Sequence, residues 1–252
     1  INSREDAIDY AEKRGIKLTV TKEKIYSRDQ NLWHISHEGG DIEQLENEHN
    51  EEVLYMMVTP PERAKDTPTY VDIKKEKGWP VKVDGESLSP ATLLQKLNKI
   101  AGENGVGVAD IVENRIVGMK SRGIYETPGG TLLMESLMEL ETIVFDKDTL
   151  NFKKLVSQKY AEIAYNGQWF TPIKYALDAF VDSIDEVLTG TIKLKLYKGH
   201  IKIAGRFTEN ALYDEGISSF GSSELYSHKD AEGFIKLFSL PNTIRAYKKL
   251  SK

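Results

Sequence analysis

At 252 residues, with a formal net charge of −5 and no cysteine, the chain is long enough to bury about 70–75% of its unfolded surface without covalent staples. Disulfide frameworks, thiol nucleophiles and Cys-based zinc sites are excluded together, and the acidic balance argues against a broad nucleic-acid surface. No apolar run reaches the roughly 18–20 residues that span a bilayer, and the lack of cysteine fits a cytoplasmic location.

The chain opens at Ile1 with neither an initiator Met nor a charged-then-apolar leader, so a segment upstream is expected. Ser3 to Lys13 reads as a helix, with Ser3 as cap, Asp6 at capping-box spacing and Gly15 as stop. Its stripe of Ala7, Tyr10 and Ala11 is narrow and needs a packing partner. Leu18 to Thr21 reads as a short strand. Residues 22–52 lack periodicity and carry an acidic stretch from Glu38 to Glu52, which predicts a long surface loop. Val53 to Thr59 reads as a buried strand ended by Pro60-Pro61. Thr69 to Lys75 and Val81 to Val83 pair across a Glu76-Lys77-Gly78 turn, with Lys74-Lys75-Glu76-Lys77 as a solvated face. Ser89-Pro90 opens a helix whose core stripe is Leu93, Leu94, Leu97, Ile100 and Ala101, ended by Gly102.

Val106 to Val112 alternates as a strand. Pro128-Gly129-Gly130 precedes a long helix to about Phe145. A second helix runs from about Leu150 to Tyr165 and breaks at Asn166-Gly167. A third starts at Pro172, with Ala176, Leu177, Phe180, Val181, Ile184 and Val187 on one face. Thr191 to Tyr197 and His200 to Ala204 make a hairpin turned by Lys198-Gly199. After Pro241, Ile244, Tyr247 and Leu250 line a helix of about three turns, marginal without a partner. There is no internal repeat and no steady βαβ rhythm, which gives an α+β class with a mixed or antiparallel sheet and flanking helices.

Four segments invite a chemical reading. Tyr26 to Gly40 is dense in hydroxyls, amides and carboxylates; it suits a small polar ligand, but local turn hydrogen bonds explain it better. His34 and His37 with Glu38 and Asp41 lack the spacing of a metal site, so none is expected. Gly102 to Gly107 runs from helix to strand, the reverse of a dinucleotide fingerprint, and reads as a helix C-cap connection. Asp110 to Gly130 has charges interrupting two apolar stretches, with Gly118 and Gly123 inside what should be strand. Those glycines fit bulges or close approach of a ligand, and salt-bridged strand edges with a turn fit equally. Gly129-Gly130 at a helix start fits an anion site or an ordinary βα turn. The basic tail, Arg245, Lys248, Lys249 and Lys252, with its apolar stripe favours subunit packing over nucleic acid or membrane.

The 111–131 string IVENRIVGMKSRGIYETPGGT resembles the signature of argininosuccinate synthases. The resemblance extends, in the family's order, to YSRDQNLWHISHEGGDIE, YAEIAYNGQWFTP, KLKLYKGHIKIAGR, LYDE and DAEGFIKL. It implies ATP-dependent joining of citrulline to aspartate through citrullyl-AMP, releasing pyrophosphate and then AMP. Adenylation turns the ureido oxygen into a leaving group. By residue match, the citrulline contacts fall on Ser27, Ser36, Glu113 and Tyr125, which position the substrate rather than do acid–base chemistry; no catalytic side chain is expected here. The family's Ser-Gly-Gly-Leu-Asp-Thr-Ser type phosphate loop has no match, so ATP with Mg2+, and aspartate, are expected to bind mainly in an N-terminal half absent from this chain. The implied layout is residues 1–16 as the last helix of the nucleotide domain, 17–240 as the synthetase domain and 241–252 as an intersubunit helix of a homotetramer. The alternatives are a catalytically inactive assembly module and a repurposed small-molecule-binding module.

Overall fold

In the computed structural model residues 1, 4–17, 26–218 and 227–249 are described. The Ser3 cap, the strand expected at Leu18 to Thr21, Leu250 and Lys252 lie outside them. The chain divides into two units, Ile1–Asn210 and Ala211–Lys252.

In the first unit α1 (Arg4–Lys13) buries Ile8 and Ala11, whereas Tyr10 of the expected stripe is exposed beneath the Arg14 guanidinium, 3.7 Å from its ring centroid. Gly15 adopts φ 67°, and the Gly15 and Ile16 amides donate back to Glu12 and Ala11, which closes the helix. The expected 22–52 loop is instead ordered structure from Ser27 onward: β1 (Ser27–Gln30), β2 (Ile35–Glu38) and a 3-10 turn (Gly40–Glu43). No apolar alternation marks these strands, because all four β1 residues are exposed and Ile35, Ser36 and His37 of β2 are buried in succession. The strand expected at Val53 to Thr59 is also absent. Here α2 (Glu51–Leu54), capped by Asn50, gives way to an irregular segment. The Met56, Met57 and Val58 amides all donate to one carboxylate, that of Glu126, and consecutive amides pointing one way are incompatible with a strand.

The next hairpin follows expectation as β3 (Thr69–Glu76) and β4 (Trp79–Val83), extended by the short β5 (Glu86–Ser87). Lys75, however, is not solvated. It follows Val71 and Ile73 on the inner face and is 2% exposed. Ser89 caps α3 (Pro90–Glu103) by accepting from the Thr92 amide. Gly102 lies inside the last turn, and glycine is needed there because a Cβ would run into the Met57 carbonyl oxygen. The stop is Gly105, φ 75°, with Gly105 and Val106 amides bonded to Gly102 and Ala101.

The expected 106–112 strand is β6 (Val108–Asn114), paired with β7 (Lys120–Glu126); Gly118, φ 89°, belongs to their turn rather than a strand. Pro128 is already helical in α4 (Pro128–Val144). The following α5 (Lys147–Tyr165) starts earlier than expected, since Asp146 caps the Asp148 and Thr149 amides, and it ends at Gly167, φ 70°. It faces α6 (Pro172–Asp185) through an edge-to-face contact of Phe152 and Phe180 at 5.2 Å; no α6 residue is fully buried, and Val187 falls beyond the helix. Last come β8 (Gly190–Tyr197) and β9 (His200–Phe207).

Both sheets are antiparallel, in the orders β1-β2-β7-β6 and β5-β4-β3-β8-β9, so the α+β class holds with two sheets. Val71, Ile73, Ile192, Leu194 and Leu196 of the larger sheet pack with Leu93 and Leu97 of α3 and Leu132 and Leu140 of α4. A smaller core of Tyr26, Ile42, Leu54 and Ile124 underlies the other sheet. The second unit contains α7 (Glu215–Ser218), α8 (Asp230–Phe238) and α9 (Leu240–Tyr247). Among the described residues no helix is long and apolar enough to cross a membrane.

Candidate functional site

Strand alternation and register decide which polar groups meet. Directly opposed residues, and every second residue along a strand, share a face. Ser36 of β2 opposes Asp29 of β1 and Tyr125 of β7, while Ser27 opposes Glu38. Tyr125, Gly123 and Ser121 oppose Ala109, Ile111 and Glu113 of β6. Ser27, Ser36, Tyr125 and Glu113 therefore lie on one face of the four-stranded sheet. The other face carries His37, Ile124 and Glu126 and is buried.

The Tyr125 hydroxyl donates to Glu113 Oε1 at 3.0 Å. Burial, and then the Glu113 carboxylate, push the tyrosine up to about 12, so it stays a donor at any physiological pH. One such bond leaves most acceptor sites of the carboxylate available to a cation. Ser36 is buried, its hydroxyl only 3.4 Å from the Asp29 carbonyl oxygen, and Ser27 is exposed at the start of β1. His34 stands edge-on to the Tyr125 ring at 5.6 Å. Gly123 is the close-approach glycine, and what approaches is this same ring: a Cβ would meet Tyr125 Cε2 at 3.0 Å.

Arg115, in the turn after β6, adds a cation beside this face. Its guanidinium pairs with Glu38 and donates from Nε to Ser121 Oγ at 3.0 Å. With Gly39 and Lys120 these groups line a cleft of about 400 Å3. A second cavity of about 580 Å3 is lined mainly by apolar side chains, among them Trp33, Trp79, Leu133 and Met134, with Lys75, Asp182 and Asp185 also in its wall. His34 and His37 do not converge: His34 meets Asn31, whereas His37 is buried against Glu126 and Arg28. Among the described residues no cluster of three or more His, Cys, Asp or Glu side chains is arranged to hold a metal ion.

The glycines at the start of α4 serve packing. Gly129 donates its amide to Asn98 Oδ1 at 2.8 Å, and a Cβ on Gly130 would meet the Trp33 ring at 2.7 Å. The sequence motifs assign no role to Glu126, which accepts from His37 and three backbone amides. Its signal is that a carboxylate directly following Tyr125 in a strand must point to the buried side and find donors there.

The family described as Arginosuccinate synthase C-terminal domain matches residues 26–245. The chain is 65% identical over 248 residues to a protein named argininosuccinate synthase from Clostridium botulinum strain Langeland, covering 98% of this chain and 62% of that protein. It is 62% identical over 252 residues to one of the same name from Clostridium acetobutylicum, covering 100% of this chain and 63% of the relative. The chain thus spans less than two thirds of the length of these relatives.

Proposed function

The chain belongs to the argininosuccinate synthase family, and from that premise we propose that it forms the citrulline-binding part of an enzyme that joins citrulline to aspartate with ATP. The observation supporting this reading is the shared face of Ser27, Ser36, Tyr125 and Glu113, with Tyr125 bonded to Glu113. Glu113 would receive the α-ammonium of citrulline. The hydroxyls would serve its carboxylate or ureido group and hold the ureido oxygen in line with the α-phosphorus. ATP with Mg2+, and aspartate, would be bound mainly by a nucleotide-binding half outside these residues, and the working assembly would be a homotetramer in the cytoplasm.

Glu113→Gln tests the site, assayed as AMP release with the nucleotide-binding half present. Losing one charged contact costs about 1.5–3 kcal/mol. The citrulline KM should therefore rise roughly 10- to 100-fold while the ATP KM stays near its original value. Equal changes in both would sink the ligand assignment. No AMP release by the unsubstituted protein, with intact oligomers, would favour an inactive assembly module.

A further inference from the structure

We propose that His37 and Glu126, on the buried face of the four-stranded sheet, are positioning residues for Ser36 and Tyr125 on the opposite face; this rests on the citrulline reading above. Both side chains are fully buried, and each directly follows the residue it would position. His37 Nε2 lies 2.8 Å from Glu126 Oε1. The bond runs diagonally, because His37 is in register with Ile124 and Glu126 with Ile35. A slip of β2 along β7 that carries His37 away from Glu126 parts Ser36 from Tyr125 and breaks this bond as well.

The brace is closed on both sides. Glu126 accepts the Met56, Met57 and Val58 amides at 2.8, 2.7 and 2.8 Å. Arg28 donates from Nε to His37 Nδ1 at 3.2 Å and from Nη2 to the Val53 carbonyl at 3.0 Å. Arginine only donates, so Nδ1 accepts and the imidazole proton sits on Nε2, pointing to Glu126. Arg28 thereby selects the tautomer that the carboxylate needs. With His37 and Glu126 buried and their polar atoms all paired, such a network specifies one geometry, where apolar packing tolerates several.

The test measures citrulline and ATP KM separately in the full-length protein. His37→Phe keeps the ring volume and removes both nitrogens; the citrulline KM should rise about tenfold with the ATP KM within about twofold. His37→Gln, whose amide can donate to Glu126 and accept from Arg28, should recover most of the loss. Parallel shifts in both KM values, or an unchanged citrulline KM in folded His37→Phe, overturn the assignment. If His37→Phe does not fold, Arg28→Met at its exposed position carries the test, with about a threefold rise expected in the citrulline KM and no rise overturning the brace. Glu113→Gln separates the failures. A flat response there overturns the citrulline reading itself, while a normal one beside flat His37 and Arg28 responses overturns only the brace.

Discussion

Gly102 and Gly123 show how a glycine acts without a special backbone angle. In the sequence both read as punctuation, a helix stop and a break within a strand. In the structure each clears space for a neighbour, the Met57 carbonyl in one case and the Tyr125 ring in the other. Their consequences differ because a backbone carbonyl cannot rotate away and an aromatic ring can. Gly102→Ala would place a Cβ 2.1 Å from the Met57 oxygen, and the Gly102 carbonyl also accepts the Thr59 amide at 2.9 Å. We expect a destabilisation of about 2–3 kcal/mol, read as a lower urea midpoint with an unchanged slope. Gly102 thus ties α3 to the segment whose amides hold Glu126.

At the scale of the element, β3 places a charge where its pattern demands an apolar residue. Lys75 shares the inner face with Val71 and Ile73, and its ammonium finds the Leu133 carbonyl oxygen at 3.3 Å. Burial lowers its pKa from 10.5 to about 8, although Glu141 opposes that shift. Between those two values the unfolded chain holds a proton that the folded chain has released, so stability rises with pH across that window. Lys75→Met fills a similar volume without the charge. It should stabilise the protein by about 2 kcal/mol at pH 7, and the advantage should shrink as the pH approaches 10.5. Denaturant unfolding at both pH values checks this.

At the scale of the molecule, the second unit exposes apolar surface that a lone helix pair would not keep in water. Phe234 and Phe238 of α8 stack at 5.1 Å, and Leu237, Phe238 and Tyr247 are 71%, 75% and 89% exposed. Ile244 of α9 is exposed on the stripe that the sequence pattern picked out. Within the proposed tetramer these helices would pack against other copies, because apolar burial is what short helices lack alone. Ile244→Glu should shift the sedimentation of the full-length protein toward smaller species while leaving the unfolding of the first unit unchanged. An unaltered sedimentation profile would count against that packing.

The sequence by itself determined the family, the α+β class, the hairpins at 69–83 and 191–204, and helices whose caps and glycine stops are local, such as Ser89-Pro90 and Asn166-Gly167. These are legible because capping, turn chemistry and apolar periodicity act within a few residues. The strands at 27–30 and 35–38, the irregular course of 55–58 and the inward turn of Lys75 were decided only by tertiary structure. β1 is exposed throughout and depends on pairing with β2; in the other cases a polar group is buried, and burial becomes tolerable through partners distant in the chain: Glu126 lies 89 positions from His37 and 70 from Met56. The same holds for the candidate site. Its four positions came from resemblance, but their common face comes from strand register, which no single segment encodes.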